Sequence, residues 1–264
     1  MKEIIAAKAR ELLEQGRITG FVALRQDGPN LGPHIFTDPA DLDALSLGDK
    51  DRPGDARYSV IGLLTRLAGL FPQETFGVLV RGCDERALEI IMHETRLAAL
   101  APERVIRVGF SCPAELAQAH HCHKPWPDAL TAGERTPGVT AGEEPAADLL
   151  TELEEWFPVL DRCLKCFGCR NVCPACDCRE CTMETEALVP QRELPPDPSF
   201  LLTRAVHMAD RCVYCGLCEE VCPARIPLQS LYRFAARTLG LGLTLPGVRL
   251  PLRPVDLFRR PRLI

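Results

Sequence analysis

The 264-residue sequence predicts an α/β fold in which a small parallel-sheet N-terminal domain is followed by a cysteine-rich domain and an extended tail. Three observations carry that prediction. Over residues 1–112, short apolar runs of strand length alternate with stretches of helical period, the order that favours parallel βαβ units with right-handed crossovers. Eleven of the fourteen cysteines fall between Cys163 and Cys222, eight of them in two copies of one spacing. From residue 239 the periodicity gives way to Gly, Pro and Arg.

Residues 2–15 form a charged amphipathic pattern that ends at Gly16, a residue suited to a left-handed cap. A strand is expected over residues 18–25 and a short second one over 34–37. Val60, Leu63, Leu64, Leu67 and Leu70 have the spacing of one buried helical face, so residues 56–70 are expected as a helix that Pro72 stops. The run TFGVLV at 75–80 is expected as a strand, with Asp84 capping a helix to about residue 97. VIRVGF at 105–110 is the next strand. Cys83 and Cys112 each follow a strand's carboxyl end, where open α/β sheets gather their sites, and are expected to be neighbours.

Residues 113–147 show no sustained period and are expected as a linker, with one patch, His120-His121-Cys122-His123, in which Cys122 is the best candidate ligand. A helix at 149–160 leads into the cysteine module, assigned to residues 148–238, and another is expected over 228–239. The tail, residues 239–264, sets five arginines against one acid among several prolines and is expected to be an extended basic docking segment.

Composition excludes several classes of function. A net charge of −5 gives no footprint for nucleic acid, and no window approaches the ~20 apolar residues that span a bilayer. The opening MKEIIAAKARELLEQGR lacks the apolar core of an export signal. A cytoplasmic protein is therefore expected, and clustered cysteines in that compartment point to metal, not disulfides.

The two copies are Cys163-x-x-Cys166-x-x-Cys169-x-x-x-Cys173-Pro174 and Cys212-x-x-Cys215-x-x-Cys218-x-x-x-Cys222-Pro223. This is the run of bacterial ferredoxins that hold two [4Fe–4S] clusters. Three thiolates two residues apart wrap one cubane, and the fourth, before proline, reaches the other. One cluster is thus assigned Cys163, Cys166, Cys169 and Cys222, and the second Cys212, Cys215, Cys218 and Cys173. Cys176, Cys178 and Cys181 remain beside the first run. They suit a third centre, [4Fe–4S] in preference to zinc, with a fourth ligand from Cys112, Cys83 or Cys122; the alternative is free thiols packed on the clusters.

Leu153-Glu154-Glu155-Trp156, the stretch from Arg162 to Cys181, Leu194-Pro195-Pro196-Asp197-Pro198, and the second run closing with Ile226-Pro227-Leu228 together resemble a known family. It is the C-terminal ferredoxin region of the beta subunit of soluble molybdenum- or tungsten-dependent formate dehydrogenases, related to beta subunits of deazaflavin-reducing hydrogenases. Weaker likeness covers Leu12–Gly20, Phe36-Thr37-Asp38, Arg81-Gly82-Cys83-Asp84 and Val108-Gly109-Phe110-Ser111-Cys112. In that family the N-terminal domain binds FAD. After Cys112 the family continues through a long segment with a further C-x-x-C pair and much of the flavin pocket, which this chain replaces with a short Pro/Gly-rich stretch, so FAD is not expected.

The resemblance implies a non-catalytic electron-transfer subunit between a Mo/W-pterin catalytic subunit and a second redox protein, such as a heterodisulfide-reductase-like flavoprotein or a ferredoxin. Two alternatives remain at this point: a flavoprotein oxidoreductase that retains FAD and reduces a small acceptor, and a scaffold whose metal serves folding.

Overall fold

The chain is described by a computed structural model covering residues 1–49, 55–95, 100–139, 149–178 and 180–241. Helix α1 (Lys2–Glu14) buries Ile5, Ala9 and Leu12, one stripe at helical spacing, and the chain turns at Gly16 with φ +64°. Strands β1 (Gly20–Asp27) and β2 (Asn30–Phe36) form an antiparallel hairpin that pairs Asp27 with Asn30. A two-residue strand β3 (Leu45–Ser46) pairs with Arg25 and Leu24 of β1.

Strands β4 (Phe76–Val80), β5 (Val105–Phe110) and β6 (Leu130–Ala132) complete a sheet of order β2-β1-β4-β5-β6, in which β1, β4, β5 and β6 run parallel. Alternation along β1 sends Phe21 and Ala23 to the face covered by α1. Val22 and Leu24 point to the other face, covered by α2 (Ile61–Leu70) and α3 (Gly82–Thr95). All five residues of β4 are buried, as befits a central parallel strand.

Three expectations are corrected. The helix expected over 56–70 begins at Ile61. Asp84 does not cap α3 but lies within its first turn, where its carboxylate accepts the Arg81 N–H at 3.1 Å. The segment 113–147 is not a plain linker: it contains α4 (Ala114–Ala119) and the edge strand β6, as far as the described residues reach. Three residues are too few to display a period. Gly109 of β5 permits the approach, since a Cβ there would overlap the Ala129 carbonyl.

The second part is built from α5 (Leu149–Leu160), one-turn helices α6 (Gly168–Asn171) and α8 (Leu217–Glu220), and the pair α7 (Ser199–Met208) and α9 (Leu228–Thr238). Helix α9 buries Leu228, Leu231, Tyr232 and Ala235, and Phe234 meets Trp156 of α5 at 6.3 Å between rings. The apolar core around α7 and α9 also takes in Cys83 and Ala87 of α3. One helix therefore serves both parts. Among the described residues no helix is long and apolar enough to cross a membrane. The tail expected to dock, apart from Leu239–Leu241, lies outside the described residues.

Candidate metal centres

The two cysteine runs fold alike. Lys165 and Tyr214 occupy equivalent positions and have φ of 50°; Phe167 and Gly216, also equivalent, have φ of 58° and 81°. Left-handed residues at alternate positions curl each loop inward so that its amides face a common centre. The Lys165 N–H donates to Cys163 Sγ at 3.4 Å, and the Tyr214 N–H donates to Cys212 Sγ at 3.4 Å. After each loop a one-turn helix, α6 or α8, carries the third cysteine and delivers the chain to the fourth.

Two cavities result. The first is lined by Cys163, Cys166, Cys169 and Cys222, together with Phe167 and Phe200. The second is lined by Cys173, Cys212, Cys215 and Cys218, together with Arg204 and Tyr232. Each cavity thus gathers three cysteines of one run and the last cysteine of the other. No three His, Cys, Asp or Glu side chains converge on a single ion among the described residues. A cubane asks for no such convergence, because each thiolate binds a separate corner.

All fourteen cysteines are free thiols. Burial pushes the Cys212 thiol up to about 12 and raises Cys218 and Cys215 as well. Such groups become thiolates only beside a strong positive charge, which iron supplies when bound. Arg204 supports the same reading. It is 3% exposed, its Nε donates to Tyr232 Oη at 2.8 Å, and its Nη2 donates to the Cys169 carbonyl at 2.7 Å. No carboxylate lies within 4.0 Å of Arg204 or of the equally buried Arg86 among the described residues. Unpaired buried guanidinium groups are costly, and an anionic cluster held by four thiolates would provide the missing partner.

The remaining cysteines separate into two groups. Cys176 hydrogen-bonds with Cys173 and accepts from Arg204 Nη1 at 3.4 Å, contacts that favour its thiolate. The charges acting on Cys178 come from Arg211, Asp177, Cys176 and Cys181, and Cys181 hydrogen-bonds with Arg170. Cys83 and Cys112 are indeed neighbours, but the groups acting on them are Asp84, Arg81, Arg57, Arg86, Cys122 and Cys215. Cys83 thus lies beside Cys112 and beside Cys215 of the second run, and Cys122 lies beside Cys112.

The histidine patch serves contacts. His120 Nε2 pairs with Glu220 at 3.0 Å, and His123 is half-buried beside Arg86 and Lys124. Arg57 joins the first of these contacts, donating to the Cys215 carbonyl at 3.0 Å and to Glu220. Arg57, Arg86 and Arg204 were missed in the sequence, where nothing in their local spacing distinguishes them.

Residues 205–227, which contain all four cysteines of the second run, match the family described as a 4Fe-4S binding domain. This part of the chain is a 4Fe-4S binding domain. Over 58 residues it is 48% identical to F420-dependent formate dehydrogenase 1 subunit beta of Methanococcus maripaludis, covering 22% of this chain and 15% of that protein. Over 46 residues it is 44% identical to F420-dependent formate dehydrogenase subunit beta of Methanocaldococcus jannaschii, covering 17% of this chain and 12% of the other. The chain thus matches only a small part of the length of these relatives, which it resembles in sequence without sharing their full extent.

Proposed function

We propose that the chain is the electron-relay subunit of a multi-subunit oxidoreductase. It would carry one [4Fe–4S] cluster on Cys163, Cys166, Cys169 and Cys222 and another on Cys212, Cys215, Cys218 and Cys173. The observation that carries this reading is the pair of cavities, each lined by the quartet that crossed ligation requires. Each cluster stores and releases one electron. The chain's own residues hold the thiolates in place, close off solvent and set the local charge. The similarity to formate dehydrogenase beta subunits supports a Mo/W-pterin catalytic subunit as one partner. A heterodisulfide-reductase-like flavoprotein or a ferredoxin is proposed as the other.

We assign the two clusters that the two runs account for; a third on Cys176, Cys178 and Cys181 would need a fourth ligand from Cys112, Cys83 or Cys122. Anaerobically purified protein should contain about eight irons and eight sulfides per chain, two cubanes' worth. Twelve would restore the third centre, and four or fewer would remove the two-run assignment. Crossed ligation has its own test. Cys222→Ser should alter the spectrum of the cluster that Cys163→Ser alters; if it alters that of Cys212→Ser instead, the ligands do not cross.

A further inference from the structure

The two runs repeat each other in backbone, yet their surroundings differ on one side. The peptide that donates to Cys212 Sγ is the Val213–Tyr214 unit: its N–H belongs to Tyr214 and its carbonyl to Val213. That carbonyl accepts Arg86 Nη2 at 3.3 Å, from α3 of the α/β part. The equivalent peptide in the first run, Leu164–Lys165, also donates to its cysteine at 3.4 Å. Its carbonyl accepts no side-chain hydrogen bond among the described residues, and Leu164 is 55% exposed. Arg86 itself is 4% exposed. Its Nη1 donates to the Lys124 carbonyl at 2.9 Å, its Nη2 lies 3.9 Å from Cys122 Sγ, and its Nε has no partner. Asp84 lies in its field but beyond ion-pair distance, and Asp84 already binds the Arg81 N–H.

Resting on the two-cluster reading above, we propose that Arg86 raises the reduction potential of the second cluster selectively. It does so through its buried charge and through the peptide it polarises. Reduction adds one negative charge to the cluster, and a cation in a poorly screened interior stabilises that state more than the oxidised one. A guanidinium on a carbonyl also strengthens the N–H donor at the other end of the same peptide, which here ends on a ligand sulfur. The first cluster lies beyond the reach of Arg86; the buried cation beside it is Arg204, whose Nη2 donates to the Cys169 carbonyl. Arg57 acts in the same sense on the Cys215 carbonyl but more weakly, because Glu220 is paired with it. The α/β part thereby tunes the cluster it covers, and leaves the other to solvent and partners.

The test is a dithionite titration of the full-length, iron-loaded chain under anaerobic conditions, followed by electron paramagnetic resonance, on wild type, Arg86→Gln and Arg86→Lys. Arg86→Gln should disfavour reduction of one cluster at least tenfold, about 59 mV for one electron, and leave the other in place. Arg86→Lys, which keeps the charge, should recover most of that loss. Equal loss in both variants would assign the effect to disturbed packing, and no shift, or an equal shift of both clusters, would overturn the proposal. If Arg86→Gln does not fold, Arg86→Met, which leaves no polar group to desolvate, supplies the same comparison. Wild-type protein with only one reducible cluster would instead count against the two-cluster reading.

Discussion

Gly216 shows how narrowly one residue can be constrained. Its φ of +81° suits glycine, and an added Cβ would overlap Nδ1 of His120 and lie 2.7 Å from its Cε1. Gly216→Ala should therefore cost about 1–2 kcal/mol in backbone strain before the clash with a ring tied to Glu220 is added. Denaturant unfolding would show the loss, and the second cluster should bleach sooner than the first. His123 gives a pH-dependent counterpart. Burial first, then Arg86 and Lys124, push its pKa from 6.5 down to about 4. The unfolded chain takes up that proton at higher pH than the folded one, so stability is intact above 6.5 and falls as pH drops toward 4. His123→Gln should flatten the unfolding midpoint across that window; an unchanged pH profile would show that the ring is not held neutral.

At the scale of elements, α7 and α9 meet through Arg204 and Tyr232. Tyr232→Phe removes the acceptor of a buried N–H and should destabilise the chain by about 1–3 kcal/mol, read as a lower denaturation midpoint. Elements differ in how legible they were. Strand β5 was visible to the residue because its apolar run is bounded on both sides, and β4 began one residue later than expected. Strand β6 was not, because its place is fixed by pairing with Gly109 and Phe110, not by a pattern of its own. Helix α7 fell in a stretch left unassigned between the runs, although Phe200, Leu201, Arg204, Ala205 and Met208 trace its buried face. The eight proposed ligand cysteines could be named because their spacing is local. The arginines could not, since Arg86 acts 127 positions away and Arg57 acts 158 away.

For the whole molecule, the shared helix α3 makes the α/β part a cover for the second cysteine run. A fragment starting at Leu149 retains all eight proposed ligands but exposes the side that Arg57, Arg86 and Cys83 cover. Such a fragment should still bind iron. In air its second cluster should decay faster than in the full chain, with the first little changed; equal decay of both in the two proteins would show that the cover protects nothing.

The crossing of Cys173 and Cys222 between cavities has a further consequence, for assembly. Each cluster then acts as a cross-link, closing chain loops of roughly 40 and 60 residues, and the first closure removes unfolded-state entropy worth about 4 kcal/mol. Whichever cluster forms first brings the distant sulfur of the other into place. Filling the second cavity is then nearly free of chain-closure entropy, so iron loading should be cooperative. Chains given half the iron they can hold should sort into full and empty populations, with few carrying one cluster, a distribution that native mass spectrometry reads directly.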